Sequence, residues 1–189
     1  MNTERNKQPM HGLVSLLPAD YYAKVEELWQ MLEDEFDLTG IQATPFPHFS
    51  WLVGEDFNWD ELEDTLRQIA RETEPLIVNT GGIGIFSGPS PVIFIPVVRT
   101  AQLSALHQRI WDAIQPIGMD LSPYYSPNLW MPHITLAIKD VTPRKLEYAL
   151  QKLVFQTFNW AFEVNNISFI RKEDDQEDEI YYQFNFIAE

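Results

Sequence analysis

Two short stretches, 133 − 48 = 85 residues apart, constrain this chain more than any other feature. They are Pro47-His48-Phe49-Ser50-Trp51-Leu52 and Pro132-His133-Ile134-Thr135-Leu136-Ala137. Alternating apolar and polar residues predict a β-strand whose side chains point to opposite faces. In the first strand Phe49, Trp51 and Val53 fall on one face, and His48 and Ser50 on the other. In the second, Ile134, Leu136 and Ile138 oppose His133 and Thr135. An imidazole and a hydroxyl two residues apart on one strand face reach into the same space.

The elements around these strands repeat at the same interval. Helices that follow them start at Asn58 and Thr142, 142 − 58 = 84 residues apart, and helices that precede them start near Asp20 and Thr100. Each half reads strand, helix, His strand, helix, strand. The expected fold is α+β: a bilobal pseudo-twofold duplication, with two antiparallel sheets flanking a central groove and helices on the outside. That symmetry faces the two histidines across the groove. Residues 1–9 are expected to be a disordered lead-in, and 10–189 a single bilobal domain.

Local signals fill in the order. Met10 to Leu17 is a short strand. The Asp20 helix carries Tyr22, Val25, Leu28, Trp29, Leu32 and Phe36 at helical spacing, with Gly40 where a C-terminal cap belongs. Asn58, with Glu61 three residues on, resembles a capping box. Leu76–Phe86 and Val92–Val98 read as extended segments joined by a Ser/Gly/Pro turn. Thr142-Pro143 opens the fourth helix with Pro at its first position. Strands near 159–170 and 180–187 flank an acidic linker, Arg171 to Glu179, read as a solvated hairpin tip without assigned function.

Charge and composition narrow the classes. The formal charge is −15, so long duplex nucleic acid, which needs a basic face, is a poor partner. A small anion remains possible where the pocket supplies donors. There are no cysteines, which excludes thiolate metal sites and thiol nucleophiles. Met1 to Gln8 lacks an apolar core, and no apolar run is long enough to span a bilayer. A soluble, cytoplasmic monomer with no membrane partner is the expectation.

Two facing His-x-Ser/Thr pairs suit one kind of chemistry. A neutral imidazole takes a proton from an attacking water or ribose hydroxyl, and a protonated one gives a proton to the departing oxygen. Ser50 and Thr135 donate hydrogen bonds to a group held between them. A phosphodiester offers two non-bridging oxygens, one leaving oxygen and one line of attack. The motifs His48-Phe49-Ser50-Trp51 and His133-Ile134-Thr135-Leu136 resemble the paired His-x-Thr/Ser-x signature of the 2H phosphoesterase superfamily, the 2′-5′ RNA ligase-like and cyclic phosphodiesterase proteins. Gly84-Ile85-Phe86-Ser87 followed by Pro91 to Val97, and the helix carrying Leu103 and Leu106-His107, are similar to that family's middle section. The resemblance covers most of the chain from Met10 onward. It implies a bilobal α+β fold without cofactor, His48 and His133 as the acid–base pair, and Ser50 and Thr135 as phosphate binders. It further implies a small nucleotide or short RNA end as substrate, carrying a 2′,3′-cyclic phosphate or a 2′-5′ linkage.

Other readings stand beside this one. The same groove could hold a nucleotide or phosphate without turning it over. Zinc could be held by two histidines and a carboxylate, but each motif places a hydroxyl where a further ligand is wanted; no metal is expected. Tyr124, Tyr125 and Trp130 lie in the loop entering the second motif, where aromatic rings either stack on a base or pin the loop. His107 reads as a packed, hydrogen-bonded core histidine. Gly81-Gly82-Ile83-Gly84 reads as strand irregularity. Lys139 shares strand parity with His133, but six residues of strand put it roughly 20 Å away.

Overall fold

Thr100 and Thr142 start their helices by one device. Each side-chain oxygen accepts a hydrogen bond from the backbone N–H three residues on, Leu103 at 3.1 Å and Lys145 at 3.3 Å. This satisfies a donor that the helix leaves orphaned. The computed structural model that shows these caps describes residues 10–172 and 178–187. The expected lead-in (1–9) and the middle of the acidic linker (173–177) lie outside the described residues.

The first half runs β1 (His11–Leu16), α1 (Ala19–Phe36), β2 (His48–Gly54), the two-residue β3 (Asp56–Phe57), α2 (Trp59–Arg71) and β4 (Leu76–Asn79). The second runs β5 (Gly84–Phe86), β6 (Val92–Pro96), α3 (Ala101–Ile114), the two-residue β7 (Gly118–Met119), β8 (His133–Ala137) and α4 (Pro143–Leu153). Then come β9 (Ala161–Val164), β10 (Asn166–Arg171) and β11 (Glu179–Asn185). The main strand order is β11-β10-β1-β2-β8-β6-β5, with every neighbouring pair antiparallel. Its two blocks meet at a single paired position, Phe49 opposite Ile134. Two antiparallel sheets thus abut along the two His strands.

The pseudo-twofold relation shows in the helices as well. Helix α1 packs on β8 and α4, and α3 packs on β2 and α2. Each half therefore supports the other half's His strand. The face turned to the helices carries Leu13, Phe49, Trp51, Ile134, Leu136 and Phe169, all fully buried. Burying a side chain of this size contributes about 1.5–3 kcal/mol, and truncating Phe49 to Ala costs about 3–5 kcal/mol.

Both His strands are bulged at the same motif position. On β2, Leu13 and Val14 pair with Leu52 and Ser50, so Trp51 is the extra residue. On β8, Ile93 and Phe94 pair with Ala137 and Thr135, so Leu136 is. A bulge reverses the alternation downstream. Leu52 and Ala137 are therefore buried in the core, while Val53 and Ile138, expected on the core side, line the groove.

Three local expectations change. Helix α1 is ended by Asp37, in the left-handed region at φ 55°, not by Gly40. Gly40 is required elsewhere: a Cβ there would lie 2.0 Å from the Ile138 carbonyl oxygen. Asn58 does not cap α2 with its side chain; its amide instead donates to the Glu61 carboxylate (2.5 Å). Leu76–Phe86 divides at Gly82 (φ 69°), where the chain leaves its partner β9 and takes up β6.

Candidate active site

His48 and His133 each begin a strand, directly after a proline. In both, the ring is fixed by the backbone two residues back. His48 Nδ1 meets the Phe46 carbonyl, and His133 Nδ1 lies 2.7 Å from the Met131 carbonyl. A carbonyl only accepts, so Nδ1 holds the proton in each neutral ring and Nε2 carries the lone pair. Both rings line one groove of about 570 Å³, together with Ser50 and Thr135. The imidazoles are close enough to interact: charge on His133 lowers the proton affinity of His48.

Burial lowers the pKa of both rings below the usual 6.5, and the two backbone hydrogen bonds oppose that fall. A difference separates them. His48 also feels the Asp178 carboxylate, which raises its pKa. Asp178 is buried, accepts from Thr44 Oγ1 (2.6 Å), and pairs with Lys172 Nζ at 3.3 Å. His133 instead packs against Phe86 edge-on (4.9 Å, 84°) and Phe94 (5.1 Å, 58°).

The hydroxyl residues are held by matched donors. Trp130 Nε1 donates to the Ser50 carbonyl (2.9 Å), and Trp29 Nε1 to the Thr135 carbonyl (3.0 Å). These bonds fix the bulged strands at the two hydroxyl residues. The Tyr125 phenol is hydrogen-bonded with the Ser50 side chain, and its burial raises the phenol pKa.

The expected stacking residues divide three ways. Tyr124 is 76% exposed, on the rim of a second cleft of about 570 Å³. Tyr125 lines both cavities, as do Phe86 and His133, so the two adjoin. Trp130 is corrected: at 1% exposure it cannot meet a ligand. Its ring lies flat on His107 (3.8 Å, 3°) and next to Trp51 (5.5 Å, 19°), inside the core. His107 is a core residue, as expected, with Nε2 3.0 Å from the Trp51 carbonyl and a pKa lowered to about 4 by burial.

Four groove residues carried no usable signal in the sequence or were misplaced. Lys139 was set too far away; β8 ends at Ala137, and Lys139, in the left-handed region at φ 75°, lines the same groove as the histidines. Lys172 and Asp178 lay in a charge run that reads as solvated. Phe86 stood in the segment similar to the family, but no role was attached to it. Among the described residues no three His, Asp or Glu side chains are grouped to hold a metal ion.

Residues 17–176 match the family model of the 2′-5′ RNA ligase superfamily. The chain belongs to the 2′-5′ RNA ligase superfamily. Its fold is that of the 2H phosphoesterases. The crystal structure of TT0787 from Thermus thermophilus superposes with a TM-score of 0.67 at 18% identity, over 94% of this chain and 98% of that one. Escherichia coli LigT complexed with 3′-AMP gives 0.60 at 14% identity, over 94% and 98%. LigT complexed with NADP+ gives 0.57 at 12%, over 96% and 100%. No curated protein matches the chain by sequence. Among the described residues of this superfamily member, no helix is long and apolar enough to cross a membrane.

Proposed function

We propose that this chain is a metal-independent phosphoesterase of small RNA-type phosphodiesters, 2′,3′-cyclic phosphates or 2′-5′ linkages, working by two-histidine general acid–base catalysis. One observation carries the reading. Two imidazoles with the same Nδ1-to-carbonyl anchoring line one groove together with the Ser50 and Thr135 hydroxyl residues. The phosphate sits between the rings and accepts hydrogen bonds from Ser50 and Thr135 through its non-bridging oxygens. Nε2 of one histidine takes the proton from water as its oxygen bonds to phosphorus. Nε2–H of the other gives its proton to the ribose oxygen as the P–O bond breaks. With a ribose hydroxyl in place of water, the same transfers join two ends, so ligation is within reach of this site. No cofactor takes part, and the substrate is a mononucleotide or short RNA end bound by a monomer.

The lowered pKa values give this scheme a pH signature. The free protein must hold one neutral and one protonated imidazole, and both titrate below 6.5. The bell of kcat/KM is therefore centred below pH 6.5, on the acid side of neutrality, and its limbs belong to the pair. A screen of 2′,3′-cyclic nucleotides and 2′-5′ dinucleotides, with chelator and with the His48→Ala/His133→Ala protein as blank, tests the reading. Turnover that survives chelator and vanishes in the blank supports it. Calorimetric binding without product on long incubation would instead establish a non-catalytic nucleotide-binding module.

A further inference from the structure

We propose that the Lys139 side of the groove is a second anion subsite, which takes a phosphate other than the one between the histidines. This rests on reading the groove as a nucleotide site, and it names the substrate class: a nucleotide phosphorylated at both ends of its ribose.

The chain as a whole is −15, so its far field repels an added phosphate, though salt screens that field beyond about 8 Å at physiological ionic strength. Among the described residues, three charged side chains that do not belong to the motifs line the groove: Lys139, Lys172 and Asp178. Lys172 and Asp178 pair with each other at 3.3 Å. Lys139 has no ion pair or hydrogen bond among the described residues. Among the described residues, one uncompensated cation therefore remains on the groove wall.

The backbone shows that this lysine is held in place. Its φ of 75° is unfavourable for a residue with a Cβ and persists only where the surroundings enforce it. Both neighbours do so. The Asp140 carboxylate accepts from the N–H groups of Thr39 (2.7 Å) and Gly40 (3.0 Å). The Ile138 carbonyl sits so close to Gly40 that no Cβ fits there. The left-handed turn puts Lys139 on the groove wall instead of one strand step beyond it.

The other end of the groove has the opposite character. The second cleft, beyond His133, is lined by Ile85, Leu129 and Met131 with Tyr124 and, among the described residues, holds no lysine or arginine. A base belongs on that side, and a second phosphate on the Lys139 side.

Calorimetric titration of the full chain with adenosine 3′-monophosphate and adenosine 3′,5′-bisphosphate, at fixed ionic strength, tests the subsite without requiring turnover. The bisphosphate should bind about tenfold tighter, the scale of one charge-assisted hydrogen bond. Lys139→Gln should bring the ratio of the two affinities to about one. Lys139→Gly should do the same while suiting the left-handed backbone, and Lys139→Arg should keep the preference. Equal or weaker binding of the bisphosphate to the unaltered chain overturns the subsite. So does a preference that survives in both Lys139→Gln and Lys139→Gly. Failure of the phosphoesterase reading is seen separately, as absence of turnover in the screen.

Discussion

The His48 and His133 half-sites share a backbone and differ in what surrounds it. Each has a proline, a histidine tied through Nδ1 to the carbonyl two residues back, a hydroxyl two residues on, and a bulge at the next position. Each hydroxyl residue has its carbonyl held by an indole N–H. Around that common frame, His48 feels a buried carboxylate, and His133 meets two phenylalanine rings and opens on a second cleft. Duplication thus sets where the two imidazoles stand. The unduplicated surroundings set how each titrates and what lies beyond it. An acid–base pair needs that combination: equal placement and unequal environment.

The largest expected effect breaks one half at a time. His48→Ala and His133→Ala should each lower kcat/KM on a 2′,3′-cyclic nucleotide by about 10²–10⁴-fold, with the circular dichroism of the parent. The double variant should lose little more than the worse single one, because the two groups act in one step. Losses that multiply would show that the halves work independently.

Acid should destabilise the second half's core next. His107 is fully buried and its pKa falls from 6.5 to about 4. The unfolded chain therefore binds its proton first as pH drops. Stability is intact above 6.5 and is lost as pH falls from there through about 4, by up to about 3 kcal/mol. The depressed histidines of the groove act in the same direction. Urea midpoints at pH 7 and pH 4.5 measure the loss, and His107→Gln should shrink it.

A smaller pair of effects compares the matched indoles. Trp130→Phe and Trp29→Phe each leave one motif carbonyl without its donor. Each should cost about 1–3 kcal/mol in denaturant unfolding. Trp130→Phe should cost the more, since its ring also stacks on His107 and Trp51. The smallest effect separates the half-sites electrically. Asp178→Asn removes the carboxylate that raises the His48 pKa. In a ring-proton NMR titration, His48 should then titrate at lower pH while His133 stays in place.

Much of this site was legible because its determinants are local. Pro-His-x-Ser/Thr on an alternating strand declares both histidines and both hydroxyls, and Thr100 and Thr142-Pro143 declare their helices. What stayed hidden depends on contacts remote in the chain. Bulges at Trp51 and Leu136 leave no mark in a single strand's alternation, yet they turn Val53 and Ile138 toward the groove. Parity carried Lys139 away along a strand that in fact stops at Ala137. Asp178 reads as solvated within a run of like charges, yet it is buried and bonded to Thr44 and Lys172. Trp130 offered a loop aromatic, and its stack on His107 in a distant helix put it in the core.

In the proposed mechanism both imidazoles grip one phosphate. This grip is tested most directly by following the Nε2 resonances of 15N-histidine-labelled protein during titration with adenosine 3′-monophosphate. The account predicts that His48 and His133 move together along one binding curve, that His107 stays still, and that His48→Ala weakens the response of His133. Movement of one ring alone, or two curves with different midpoints, would contradict it.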